Sequence, residues 1–202
     1  MRVSEAGRLV YINPPRTATT TTERLFHASF PDVWAPKKNA GHQTIWKSEW
    51  DNYFVFQTVR NPFTRAVSLW RRCVEALQHR NKAWLSYNKH GKISFEDLLF
   101  HDAKDVQTWW SDNACSRFDK LVPHVDLLVH QETLFRELKK VPGLKVTKAR
   151  FNVSKLQVPW HRHYNQRCVE KIQEIYDADF ERHGYTRDFE KAKAGDYFCD
   201  HM

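Results

Sequence analysis

The chain has 202 residues, of which 41% are hydrophobic, 28% charged and 14% aromatic. This length fits a single globular domain, and the presence of only 6 glycines and 8 prolines excludes a collagen-like or low-complexity chain. The formal net charge of +8 indicates an anionic partner such as a phosphorylated cofactor, an acidic polysaccharide or nucleic acid.

Cysteine spacing and hydropathy predict the redox state and the location of the protein. The 4 cysteines show no C-x-x-C spacing and no zinc-finger pattern, so we expect free thiols in a reducing compartment. No apolar run approaches the roughly 20 residues of a membrane span, and no signal peptide follows Met1. We therefore expect a soluble, cytoplasmic protein.

The first predicted elements are two strands, each followed by a helix. The apolar run Arg8–Asn13 predicts a buried strand, and Thr20–Ser29 predicts the helix that follows it. The aromatic and β-branched run Tyr53–Val59 predicts a second strand. Asn61 followed by Pro62 is typical of an N-cap and the first residue of a helix.

The later elements have weaker signals. Ser94 and Asp97 predict a capping box for a short helix that ends near Phe100. The remaining predictions are a third strand, a helix, a fourth strand and a C-terminal helix stopped by Gly184, over residues 125–129, 133–140, 144–146 and 169–180. Strands that alternate with helices predict a single-domain α/β fold over residues 1–202, with a mostly parallel central sheet flanked by helices.

Two strand-to-helix loops carry residues suited to binding anions. The first contains Arg16 and a run of threonines at the start of a helix, where free backbone N–H groups and the helix dipole favour negative charge. In the second, Arg60 leaves a strand beside the next helix. Because ligands of open parallel sheets bind at the carboxyl ends of strands, the two loops favour a ligand with two separated phosphates.

These residues carry a family resemblance. Pro15–Thr21 (PRTATTT) resembles the 5′-phosphosulfate loop of sulfotransferases, P-K-T-G-S-T-S, and residues 56–70 (FQTVRNPFTRAVSLW) resemble their 3′-phosphate motif, V-R-N-P-x-x-R-x-V-S. Residues 125–138 (VDLLVHQETLFREL) and 175–185 (IYDADFERHGY) are similar to the later family segments. The resemblance covers about residues 8–186 and is greatest to the carbohydrate subgroup, which includes heparan sulfate 2-O- and chondroitin sulfotransferases and compact bacterial or viral relatives.

The resemblance implies a fold like that of P-loop nucleotide kinases and an enzyme that transfers a sulfuryl group from 3′-phosphoadenosine 5′-phosphosulfate (PAPS) without a metal. The implied acceptor is a hydroxyl or amine, with an acidic glycan as a candidate. Arg16 stands where the family has a lysine that stabilises charge on the leaving phosphate. The implied contacts of the 5′-phosphate are Thr17, Ala18, Thr19, Thr20 and Thr21, those of the 3′-phosphate are Arg60 and Ser68, and a closing loop with an N-x-S motif supplies Arg150, Asn152, Ser154 and Lys155.

The acceptor also needs a general base within hydrogen-bond reach. His42 precedes the second strand, where the resembled subgroup often carries its catalytic histidine. Glu23 is the alternative base, because other branches of the family use a glutamate from that region. A first-turn glutamate that complements the helix dipole is a structural explanation for Glu23.

Other functions are compatible with parts of this pattern. A kinase-like nucleotide-binding enzyme would share the fold, but the glycines and lysine of a Walker loop are absent from the first loop. A basic nucleic-acid-binding domain would need a basic stripe with interleaved exposed aromatics, which the sequence lacks, so we expect no nucleic-acid partner. A third alternative is a sulfotransferase relative that binds PAPS without turnover, because Arg16 replaces lysine and Ala18 replaces glycine in the loop.

Overall fold

The computed structural model describes residues 1–34, 46–77, 93–147 and 158–199. The contacts within the chain form two compact units. The first comprises residues 1–60 and 115–155, and the second comprises residues 61–114 and 156–202. The interpretation of residues 1–202 as one domain stays a prediction.

The first unit is built on a four-stranded sheet. Its strands lie in the order β1 (Arg2–Ser4), β2 (Leu9–Ile12), β3 (Phe54–Val59) and β4 (Leu127–His130). β2, β3 and β4 are parallel, and β1 pairs antiparallel with β2. The predicted mostly parallel α/β sheet is thus confirmed, and β1 is a strand that the sequence pattern does not predict.

Alternate side chains of the strands point to opposite faces of the sheet, and each face carries a hydrophobic cluster. On one face, Tyr11 and Phe56 stack with ring centroids 4.8 Å apart and pack with α1 (Thr19–Ser29) and α6 (Leu134–Glu137). On the other face, Val10 and Val55 pack with Trp50, from the 3-10 turn Ser48–Trp50, and with Phe118. Phe118 belongs to the short helix α5 (Cys115–Asp119). The alternation explains why the buried strands point nonpolar side chains into both layers.

Two predictions in the first unit are wrong. Residues 144–146 do not form a strand. The Lys145 N–H donates to Ser29 Oγ at 2.9 Å, and Leu144 packs in the same hydrophobic cluster as Phe26 of α1. The predicted helix 133–140 is divided into the 3-10 turn Gln131–Thr133, α6 and the 3-10 turn Leu138–Lys140. It is divided where the Glu137 carboxylate turns back to accept hydrogen bonds from His130 N–H and Thr133 Oγ1.

The described part of the second unit is mainly helical. Its helices are α2 (Pro62–Leu77), α3 (Phe95–Leu99), α4 (Lys104–Asp112), α7 (Gln166–Ile175), α8 (Asp177–Arg182) and α9 (Phe189–Ala194), with a 3-10 turn at Trp160–His163. Two predicted caps are confirmed: Asn61 Oδ1 accepts from the N–H groups of Phe63 and Thr64, and Ser94 Oγ accepts from Asp97 N–H.

The C-terminal segment differs from the single helix that the sequence predicts. It breaks at Tyr176, whose φ of −109° and ψ of 26° end α7 and precede α8. The Tyr176 hydroxyl donates to the Trp110 carbonyl oxygen at 3.1 Å, which stabilises the break. Gly184 has a φ of +68° just beyond α8, as expected for a residue that ends a helix.

The cysteines have free thiols, as the sequence predicts. Cys73, Cys115 and Cys168 are buried, whereas Cys199 is exposed. Burial raises the pKa of Cys73 to about 11, so this thiol is protonated at neutral pH.

Candidate functional site

The loop between β2 and α1 has an unusual backbone. Arg16 and Ala18 have φ values of +65° and +64°, in the left-handed region that favours glycine. A left-handed conformation costs a non-glycine residue about 1–2 kcal/mol. The Pro14 carbonyl accepts hydrogen bonds from Thr17 Oγ1 and Thr19 Oγ1, both at 2.8 Å. These two hydrogen bonds stabilise the conformation of the loop.

The start of α1 offers its backbone to an anion. Ala18 occupies the N-cap without a side-chain hydrogen bond, and the first turn contains no acidic residue. By contrast, Ser94, Asn165 and Asp188 cap α3, α7 and α9 with their side chains. An N-terminus without a side-chain cap and without a nearby carboxylate has the chemistry of a phosphate site.

Arg60 lies next to this loop in the first unit. It follows the last residue of β3, and its Nη1 donates to the Arg16 carbonyl oxygen at 3.4 Å. Because β2 and β3 are parallel neighbours, both arginines lie at the carboxyl edge of the sheet. Both side chains are half-buried. The structure therefore brings the Arg60 side chain against the backbone of the threonine loop that contains Arg16.

Beneath the loop lie two buried hydroxyls that the sequence analysis does not identify. Thr58 Oγ1 is 2.8 Å from Thr17 Oγ1 and 3.0 Å from the Tyr11 hydroxyl. Tyr11, Thr17 and Thr58 are each fully buried, at 0% exposure. Two adjacent polar residues, Gln57 and Thr58, interrupt the apolar run of β3, and this interruption is the signal that could have identified Thr58.

Glu23 makes structural contacts from α1. Its Oε1 accepts from Asn13 Nδ2 at 2.7 Å and forms an ion pair with Arg2 Nη2 at the same distance. Glu23 lies beyond the first turn of α1, so the helix dipole does not explain its position. To act as a base through this oxygen, the carboxylate would have to leave both partners.

The threonines that follow Thr19 extend into α1. Thr20 is half-buried, whereas Thr21 is only 3% exposed. In the second unit, Ser68 lies on α2 and is 9% exposed. The assignments of Thr20, Thr21 and Ser68 to phosphate binding stay predictions.

Several predicted site residues cannot be placed. His42 and the N-x-S loop lie outside the described residues; the loop residues concerned are Arg150, Asn152, Ser154 and Lys155. Within the described ranges, no group of three or more His, Cys, Asp or Glu side chains is arranged to hold a metal ion. The same part of the chain contains no helix of the length and hydropathy needed to cross a bilayer.

Comparison with known proteins decides the class of this enzyme. A family model described as the sulfotransferase family matches residues 1–186, which include both loops predicted to bind anions. The chain belongs to the sulfotransferase family. Searches of curated proteins and of solved structures return no match.

Membership of the sulfotransferase family gives the chain its reaction class. The members of the family are transferases of sulfuryl groups, and the matched range contains the loop of Arg16, the Arg60 motif and the segment around Asp179. The kinase-like and nucleic-acid-binding alternatives have no comparable support. The α/β sheet, with its cations at the carboxyl edge, is consistent with this family.

Proposed function

We propose that this sulfotransferase uses PAPS as its donor and transfers the sulfuryl group to a hydroxyl or amine of an acceptor. The observation that carries the proposal is the contact between Arg60 Nη1 and the Arg16 carbonyl oxygen. This contact joins the Arg60 side chain to the backbone of the loop that contains Arg16, beside a helix N-terminus that has no side-chain cap. A donor with two separated phosphate groups fits that distribution of positive charge better than a donor with one.

The residues of the first loop fit the 5′ end of such a donor. The backbone of residues 17–21 binds the 5′-phosphate in this proposal. Arg16 offsets the charge that develops on that phosphate as it leaves. The Thr17 and Thr19 hydroxyls already donate to the Pro14 carbonyl, so in this conformation the backbone N–H groups are the donors to the anion.

The 3′-phosphate is assigned to Arg60 and, through the family motif, to Ser68. Arg60 supplies a planar guanidinium with several donors, a geometry well suited to phosphate oxygens. PAPS supplies an activated sulfuryl group held by an S–O bond to its 5′-phosphate. That bond breaks as the new bond to the acceptor forms, and a general base removes the acceptor proton.

His42 is the proposed base. Glu23 is less suited to that role because Arg2 and Asn13 both hold its Oε1. The donor provides the sulfuryl group, its 5′-phosphate is the leaving group, and the base takes the proton of the acceptor. The proposed transfer therefore balances without a metal.

The proposed acceptor is an acidic carbohydrate. The resemblance to the carbohydrate subgroup and the net charge of +8 support this class. Transfer of labelled sulfate to a panel of partly desulfated glycosaminoglycans, with neutral glycans as controls, tests the acceptor separately from the donor. Labelling of the neutral glycans alone would contradict the acidic acceptor and leave the donor assignment intact.

An Arg60→Ala variant tests the donor site. Calorimetry should show that its affinity for adenosine 3′,5′-bisphosphate falls about ten- to a hundredfold, as expected for loss of charged hydrogen bonds. Its affinity for adenosine 5′-phosphate should change little. Arg8→Ala is the matched control, because Arg8 is an exposed arginine that precedes β2, at the opposite end of that strand. Equal losses for both nucleotides would contradict the assignment of Arg60.

A further inference from the structure

Three buried hydroxyls form a continuous chain from the core of the sheet to the anion-binding loop. The Tyr11 hydroxyl on β2 contacts Thr58 Oγ1 on β3 at 3.0 Å. Thr58 Oγ1 contacts Thr17 Oγ1 at 2.8 Å, and Thr17 Oγ1 contacts the Pro14 carbonyl oxygen at 2.8 Å. All three hydroxyl side chains are at 0% exposure, so water does not compete for these bonds.

The carbonyl at the end of the chain fixes the direction of every bond. A carbonyl oxygen only accepts, so Thr17 must donate its single proton to Pro14. The proton between Thr17 and Thr58 then comes from Thr58, and the proton between Thr58 and Tyr11 comes from Tyr11. Burial raises the pKa of Tyr11, which keeps its hydroxyl protonated, and this hydroxyl also interacts with the side chains of Thr22 and Thr19. The order of donation is therefore Tyr11, Thr58, Thr17 and Pro14.

The chain also decides where the Pro14 carbonyl points. Thr19 Oγ1 donates to the same oxygen at 2.8 Å, so two hydroxyls occupy its two lone pairs. A carbonyl dipole aimed at an anion would oppose binding. Thr17 and Thr19 keep this dipole engaged within the loop and away from a ligand.

The backbone on both sides of Thr17 needs such support. Arg16 and Ala18 both have positive φ values, and neither is glycine. Backbone of this kind persists only where the surroundings hold it in place. Thr17 is the residue between them, and its side chain is fixed by one bond to Pro14 and one from Thr58.

We propose that Tyr11 and Thr58 are positioning residues for donor binding, which hold the phosphosulfate loop in its binding conformation through the hydroxyl of Thr17. This role deepens the proposed function and rests on it. Neither residue touches the donor in this account. The direction of donation predicts unequal roles, because Thr58 donates directly to Thr17, whereas Tyr11 reaches Thr17 through Thr58.

Four variants test this order. Thr58→Val keeps the shape of the side chain and removes the hydroxyl, so kcat/KM for PAPS should fall about tenfold or more. Tyr11→Phe should cause a smaller loss, since Thr58 can still donate to Thr17, and Thr58→Ser should restore activity to within about twofold. Tyr176→Phe is the matched control: it removes a buried hydroxyl that donates to the Trp110 carbonyl within the second unit, and it should leave kcat/KM unchanged.

Hydrogen exchange of the loop amides separates this inference from the donor assignment. Exchange in residues 13–19 should rise in Thr58→Val and remain at the wild-type rate in Thr58→Ser and Tyr176→Phe. If the wild-type protein does not bind adenosine 3′,5′-bisphosphate but the loop exchange follows this order, the proposed donor is wrong and the hydroxyl chain still holds the loop. If the wild-type protein binds the bisphosphate and Thr58→Val matches it in affinity, kcat/KM and exchange, the positioning role is overturned.

Discussion

The Arg65 guanidinium and the Asp179 carboxylate form an ion pair at 3.5 Å inside the second unit, with each side chain only 1% exposed. The two residues are 114 positions apart and belong to two family segments, V-R-N-P-x-x-R and D-F-E. The guanidinium also donates to the Asn113 carbonyl and lies over the Tyr176 ring, 5.9 Å from its centroid. Arg65 therefore joins the two segments within the core and has a structural role.

We expect Asp179→Asn to destabilise the protein by about 3–5 kcal/mol, because it leaves the buried Arg65 charge without its counter-charge. Urea unfolding followed by circular dichroism measures the change. Glu190→Gln is the control, since Glu190 pairs with Lys193 on the surface and such pairs contribute about 0–1 kcal/mol. Equal losses of unfolding free energy in the two variants would show that the buried pair contributes no more to stability than the surface pair.

Ala18→Gly should stabilise the protein by roughly 0.5 kcal/mol. Glycine removes the left-handed penalty of about 1–2 kcal/mol at φ +64°, and its greater freedom in the unfolded chain offsets part of the gain. Ala178→Gly, inside α8, should instead lose about 1 kcal/mol. The free energies of unfolding of the two variants should thus change in opposite directions; a loss at both positions would contradict the strain assigned to Ala18.

Glu137 should make stability depend on pH on the acid side. Burial raises the pKa of this carboxyl, but hydrogen bonds from His130 and Thr133 outweigh burial and lower the pKa below its usual 4.5. The stabilisation is therefore complete above pH 4.5 and is lost as the pH falls through the lower, folded-state value.

Glu137→Gln tests this dependence, because glutamine mimics the protonated acid. The free-energy difference between wild type and variant should shrink as the pH falls below about 4.5. Arg136, 3.7 Å from the same carboxylate, is mostly exposed and should contribute little. A free-energy difference that grows as the pH falls below about 4.5 would contradict the lowered pKa of Glu137.

The two candidate bases should respond differently to substitution. His42→Ala should abolish sulfuryl transfer and leave the affinity for adenosine 3′,5′-bisphosphate near that of the wild type. Glu23→Gln should retain transfer and lower stability, because it weakens the contacts with Arg2 and Asn13. Single-turnover assays combined with calorimetry separate these effects. Full activity in His42→Ala together with loss of transfer in Glu23→Gln would reverse the assignment.

Local signals were sufficient to predict part of the fold. The apolar runs of β2 and β3 and the Asn61-Pro62 start of α2 are each contained within a few consecutive residues, and the structure contains each of these elements. β1 spans only Arg2–Ser4, too few residues for a periodic pattern. One side of β1 pairs with β2, and on its other side Val3 exchanges hydrogen bonds with Trp34. The pairing with Trp34 is remote in sequence and leaves no local signature.

The sequence likewise predicts only part of the candidate site. Arg16 and Arg60 could be found because each is part of a contiguous motif. The Tyr11–Thr58–Thr17 chain could not, since its hydrogen bonds join residues 47 and 41 positions apart. The left-handed backbone of Ala18 was also hidden, because alanine rarely adopts it and the sequence alone predicts reduced freedom at that position.

Direct binding of adenosine 3′,5′-bisphosphate to the wild-type protein, measured by calorimetry, tests the central claim that the donor carries a 3′-phosphate. ATP and adenosine 5′-phosphate are the comparison ligands, each titrated with and without magnesium. The account predicts micromolar binding of the bisphosphate that requires its 3′-phosphate and is independent of magnesium. Preference for ATP with magnesium, or no binding of any of the three nucleotides, would contradict it.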